Sequence, residues 1–188
     1  MYPNWFIGTG TDQRFNQYLS VYSGQEVHFL QVGAYTGDAS LWLLENILTH
    51  PQASLTDVDT WEGSEEAIHK TFDWTDVETT YDTKIAPWLP GRVNKIKTTS
   101  DQFFSNHAWL YNFIYIDGDH TGFGVAKDGI NGWNSLLPGG IIAFDDYMWE
   151  PNWSAYDHPK EAINFIVDTL GDRAEVLEAS GQVWLKKK

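Results

Sequence analysis

Apolar residues in this chain fall into short continuous runs that alternate with longer stretches repeating every three to four positions. Glu26 to Val32 reads as a buried strand ending at Gly33. From Asp38 the spacing becomes helical, with Leu41, Leu44 and Leu48 recurring beside Leu43 and Ile47, until Pro51 stops it. Ala53 to Asp59 forms a second strand and Val93 to Lys97 a third, followed by a short helix near Asp101 to His107. Phe113 to Ile116 and Ile141 to Phe144 are the fourth and fifth strands. Between them Ala126, Ile130, Trp133 and Leu137 mark one helical face, broken by Pro138-Gly139-Gly140. A helix over Arg14 to Tyr22 leads in, and another over Pro159 to Leu170 turns Ile163, Ile166, Val167 and Leu170 inward, with Gly171 as its stop. Ala174 to Ala179 and Gln182 to Leu185, joined at Ser180-Gly181, close the chain as a β-hairpin. Ser64 to Pro90, polar and aromatic, carries one or two helices. Strands alternating with helices predict a doubly wound α/β sheet in a single domain over residues 1–188.

The fourth and fifth strands each run into acids, Asp117-Gly118-Asp119-His120 and Asp145-Asp146-Tyr147, one strand-helix-strand unit apart. Parallel strands bring both clusters to the carboxyl edge, where open α/β sheets bind ligands. Carboxylates gathered there repel one another unless something positive lies between them.

Composition narrows the partners. Twenty-six acids against twelve lysines and arginines give a formal charge of −14, the wrong sign for phosphate backbones or anionic membranes. A small neutral or cationic ligand fits better. No cysteine is present, which excludes disulfides and thiolate chemistry. No apolar run approaches the roughly 18 residues of a membrane span, and Met1 to Trp5 lacks a basic, apolar leader, so a cytoplasmic location is expected.

The loop Gln31-Val32-Gly33-Ala34-Tyr35-Thr36-Gly37 spaces its glycines four apart, which departs from the dinucleotide pattern G-x-G-x-x-G. Gly33 permits a sharp turn, and Gly37 a close backbone approach at the start of a helix whose free amides favour a carboxylate. Asp59, ending the second strand, can accept from both hydroxyls of a ribose, and Thr99, Ser100 and Asp101 stand at the level of an adenine edge.

Phe29 to Gly37, Val58 to Gly63 and Tyr111 to Tyr147 together resemble class I S-adenosylmethionine-dependent methyltransferases, in particular the macrocin and rhamnosyl O-methyltransferases of the methyltransferase 24 family. The resemblance implies a Rossmann-like, mostly parallel seven-stranded sheet whose closing hairpin supplies the antiparallel strand. It implies a cofactor site of Gln31, Gly33, Tyr35, Thr36, Gly37, Ser40, Asp59, Thr60, Trp61, Thr99, Ser100 and Asp117. Gln31 stands where the family usually has an acid. A divalent ion such as Mg2+ is expected on Asp117, Asp145 and Asp146, with Asp119 and His120 as bases toward the hydroxyl of a small acceptor, a sugar or glycosylated metabolite. A metal-free enzyme using His120 or Asp119, and a catalytically silent cofactor-binding protein, are the alternatives. Trp149 and Trp153 either line the acceptor pocket or pack in the core.

Overall fold

The computed structural model describes residues 2–64, 66–149 and 158–188. Five strands of one sheet run parallel: β1 (His28–Val32), β2 (Ser54–Asp59), β3 (Val93–Lys97), β4 (Tyr111–Ile116) and β5 (Leu136–Phe144). The hairpin of β6 (Ala174–Ala179) and β7 (Val183–Lys187) adds to the β5 edge with β7 antiparallel, completing the order β3-β2-β1-β4-β5-β7-β6. The seven-stranded Rossmann-like architecture expected from the sequence is therefore the one observed.

Helices cover both faces: α1 (Trp5–Gly8), α2 (Thr11–Leu19), α3 (Asp38–Asn46), α4 (Trp74–Ile85), α5 (Ser100–Asn106), α6 (Gly122–Asn134) and α7 (Pro159–Leu170). The inner strands β1, β4 and β5 are largely apolar on both sides, as a sheet sandwiched between helices demands. Phe29, Phe113 and Tyr115 point into one core with Phe15, Leu43, Leu44 and Trp184. Leu30, Ile114 and Ile116 point into the other with Val125, Trp133, Ile163 and Ile166. Among the described residues no helix is long and apolar enough to cross a membrane.

One helix presents a different face from the one its sequence suggests. Ile130 of α6 is exposed, and the buried positions are Gly122, Gly124, Val125, Asp128, Gly129, Gly132 and Trp133. A Cβ on Gly129 would lie 2.5 Å from Ile166 Cδ1 and 2.6 Å from Phe144 Cε1, so α6 and α7 approach through glycine. Leu137 belongs to β5 rather than to the helix.

Candidate active site

The carboxyl ends of the strands are tied in line. Gly33 N donates to Val58 O, Asp117 N to Val32 O, Thr98 N to Asp59 O and Asp145 N to Ile116 O. The sharp turn after β1 needs Gly33, which has φ +89° and whose missing Cβ would fall 1.8 Å from Asp117 O. Gln31, buried beneath this loop, donates from Nε2 to Gly33 O at 2.8 Å and accepts from Ser40 Oγ at 3.2 Å. An acid there has no proton to give that carbonyl at neutral pH, so the amide holds the loop in a way a carboxylate cannot.

A cavity of about 970 Å³ opens along this edge. Gln31, Gly33, Tyr35, Asp59, Thr60, Thr99, Ser100 and Asp117 line it, as do Asp119, His120, Asp145 and Asp146. Asp59 binds three backbone amides: Ala34 at 2.8 Å, Tyr35 at 2.9 Å and Trp61 at 2.7 Å. It thus clasps the glycine loop to β2, and with about four acceptor sites on a carboxylate it retains one for a hydroxyl.

Four residues expected on the cofactor lie away from the cavity wall. Thr36 is buried and donates to Asp38 Oδ2 at 2.7 Å, and Ser40 is spent on Gln31. Gly37 precedes α3 at φ +77°, and a Cβ there would lie 2.9 Å from Tyr81 Cδ2. Trp61, 2% exposed, donates to Tyr35 O at 2.9 Å and packs against Tyr81, with the Lys95 ammonium 4.6 Å from its ring centre. Its large apolar ring gains more in the core than it would at a polar mouth.

The acidic cluster also differs in composition from the expected one. Ligand atoms of Asp117, His120 and Asp146 lie within 4.8 Å of one another. His120 Nε2 is 3.4 Å from Asp117 Oδ1 and 3.2 Å from Asp146 Oδ2, and Nδ1 is 2.9 Å from Glu66 Oε1. Asp145 lines the same cavity, with its carboxylate accepting from Tyr115 Oη and from Asp146 N. Asp119 accepts from Thr121 N at 2.9 Å and packs on Gly124, so its carboxylate is engaged at the entrance to α6. Glu66 was not signalled by the sequence, since it sits in an irregular segment with no periodicity. Trp149 lines the cavity with its ring edge-on to His120 at 5.5 Å. Trp153 lies outside the described residues.

Electrostatics follow from that packing. Burial, reinforced by Asp145 and Asp146, raises the Asp117 carboxyl well above the usual range. Burial, with Asp145 adding to it, lifts Asp146 to about 6. Burial alone would lower the His120 pKa, but Asp146, Asp117 and Glu66 outweigh it and hold a proton on the ring well above its ordinary value. The cluster favours a positive charge at its centre, and its oxygen donors suit a hard divalent cation.

A seven-stranded sheet in this order, with a glycine loop and a β2-terminal acid on one cavity, defines a Rossmann-like methyltransferase domain. Residues 30–147 match the methyltransferase domain model of the methyltransferase 24 family, and the chain belongs to that family. Methyl transfer, with S-adenosylmethionine as donor, is the activity of this class. No curated protein matches the chain in sequence. Among solved structures, the O-methyltransferase NovP aligns with TM-score 0.69 at 16% identity over 95% of this chain and 79% of its own. The MycE methyltransferase of the mycinamycin pathway, in complex with Mg and SAH, gives 0.61 at 15% over 93% of this chain and 49% of its own. The N-methyltransferase NodS from Bradyrhizobium japonicum gives 0.64 at 14% over 100% and 99%. At such identities the likeness shows the fold, and that fold serves both oxygen and nitrogen acceptors.

Proposed function

We propose that this chain methylates a hydroxyl of a small acceptor, a sugar or glycosylated metabolite, with assistance from a divalent cation. The observation that carries this reading is the position of Asp117. Its backbone carbonyl abuts the glycine loop at Gly33, while its side chain belongs to the cluster with His120 and Asp146, all in one cavity. A donor held on the loop and an acceptor held on the cluster would therefore be neighbours. MycE, solved with Mg and SAH, supports the pairing of the two ligands by analogy.

The donor set fits a cation, which Asp117 and Asp146 would hold through oxygen, with Asp145 braced behind them by Tyr115. Such an ion would supply charge that lowers the pKa of an acceptor hydroxyl. The charge of that ion would offset the acids that otherwise keep His120 protonated, leaving Nε2 free to take the hydroxyl proton, while Glu66 on Nδ1 orients the ring and stabilises the imidazolium. The acceptor oxygen forms the new C–O bond in line as the C–S bond of the sulfonium breaks, releasing a neutral thioether. Positioning supplies most of the acceleration. His120→Gln should bind S-adenosylhomocysteine within twofold of wild type and lose about 100-fold or more in transfer to a panel of glycosides, read by mass spectrometry. Methyl groups found only on nitrogen would contradict the acceptor class, and unchanged turnover would contradict the base.

A further inference from the structure

Asp146, one of the two acids that would hold the cation, stands on a strained backbone. Its φ is +57°, in the left-handed region that a residue with a Cβ occupies only at a cost. Such a conformation persists where the surroundings over-determine it. Part of the constraint is local, because Asp146 N donates to Asp145 Oδ1 at 2.8 Å. Asp145 is held in turn through its other oxygen, which accepts from Tyr115 Oη.

The chain of contacts continues behind the cavity wall. Tyr115 is 1% exposed, and its hydroxyl oxygen accepts from Gln182 Nε2 at 3.4 Å. Gln182 lies in the turn between β6 and β7 and is buried. Its amide has one possible orientation. The Trp184 indole can only donate, so its 2.9 Å contact assigns Oε1 to Nε1 of Trp184. Both Nε2 hydrogens are then left for Tyr115 and for Thr11 Oγ1, the latter at 2.8 Å. With an amide donating to its oxygen, Tyr115 gives its own hydrogen to Asp145. The hydrogens therefore run one way, from the hairpin to the acidic edge.

Packing alone does not ask for this polar path. Phe15 meets the Tyr115 ring edge-on at 5.1 Å, and Phe113 stacks on Trp184 at 5.6 Å, so the same core is filled by rings that carry no hydroxyl. A phenyl ring at position 115 would pack there without a polar atom to satisfy. What the hydroxyl adds is a fixed place for Asp145.

We propose that Tyr115 and Gln182 are positioning residues for the cation cluster. Through Asp145 they hold the Asp146 backbone in the conformation that brings its Oδ2 within 3.2 Å of His120 Nε2. This rests on the cation reading above.

The test titrates the intact chain with Mn2+ by electron paramagnetic resonance and with S-adenosylhomocysteine by calorimetry. Tyr115→Phe removes the donor to Asp145. Gln182→Glu keeps an acceptor for Trp184 but offers Tyr115 a second acceptor in competition with Asp145. Should that variant fail to fold, Gln182→Met likewise withholds the donor and takes its place. Ile163→Val trims the other core, away from this path, and is the control. Tyr115→Phe should weaken Mn2+ binding about 10-fold or more and the Gln182 variant about threefold or more, with S-adenosylhomocysteine affinity within about twofold of wild type throughout. Ile163→Val should bind Mn2+ as wild type does. Unchanged Mn2+ affinity in either folded variant would overturn the role of that residue. An equal loss of both ligands, or a loss of Mn2+ in Ile163→Val, would mark general loosening and overturn the proposal. If the wild type binds no ion, the cation reading falls and this inference with it. If the wild type and Tyr115→Phe bind it equally, only the inference falls.

Discussion

Replacing Gly33 by alanine tests whether the turn after β1 is fixed by backbone contact, and Gly139→Ala provides the comparison. Both glycines have positive φ, +89° and +78°. A Cβ on Gly139 meets nothing within 4 Å, so that variant reports the backbone penalty alone, roughly 1 kcal/mol. A Cβ on Gly33 would lie 1.8 Å from Asp117 O and 2.5 Å from Asp117 C. Neither is the end of a flexible side chain, and Asp117 N is bonded to Val32 O at 2.8 Å, so β1 and β4 must part to admit the methyl group. Overpacking of that kind adds roughly 1–3 kcal/mol, for a total of about 2–4 kcal/mol. At roughly 2–4 °C per kcal/mol for a domain of this size, Gly33→Ala should melt about 4–16 °C below wild type, and Gly139→Ala only about 2–4 °C below. Thermal melts and urea titrations of the three proteins measure the difference. Stabilities of the two variants within about 1 kcal/mol of each other would refute the close approach of Gly33 and Asp117.

Two further substitutions probe the polar layer under the loop. Gln31→Glu restores the acid typical of the family but removes the donor to Gly33 O, in a site 2% exposed and paired in register with Asp57. It should cost about 3 kcal/mol and weaken S-adenosylhomocysteine binding; tighter binding in the variant would show that the amide is a defect. Asp57 is fully buried against Tyr81, and burial raises its carboxyl from 3.8 to about 7. A raised folded pKa means that its contribution is present at acid pH and is lost as pH rises from about 4 through 7. Between pH 4.5 and 7.5, Asp57→Asn should therefore gain about 3 kcal/mol relative to wild type in urea unfolding, and parallel pH curves for the two proteins would refute it.

Where burial is carried by side chains of large apolar area, the sequence was readable. Val93–Lys97 and Pro159–Leu170 have the bounds their patterns predict, and the hairpin lies where Ser180-Gly181 suggested. The face of α6 was misread because its contacts are made by Gly129 and Gly132, which hydrophobic periodicity cannot see. At the site, the acids at the ends of β4 and β5 and the loop at Gly33 were legible, since strand ends of a parallel sheet converge by topology. How each acid is engaged was not: Asp145, though on the cavity wall, accepts from Tyr115, two residues before Asp117 on the neighbouring strand. Glu66 reaches His120 from a segment 54 residues away in sequence, a contact that no local pattern encodes.

The most direct test of the central claim is a titration of Mn2+ by electron paramagnetic resonance in the presence of S-adenosylhomocysteine, on wild type, Asp117→Asn and Asp146→Asn. The account predicts one bound ion per chain in the wild type and its loss, by 10-fold or more in affinity, in both variants while S-adenosylhomocysteine still binds. An ion bound equally well by all three proteins, or no ion in the wild type, would contradict it.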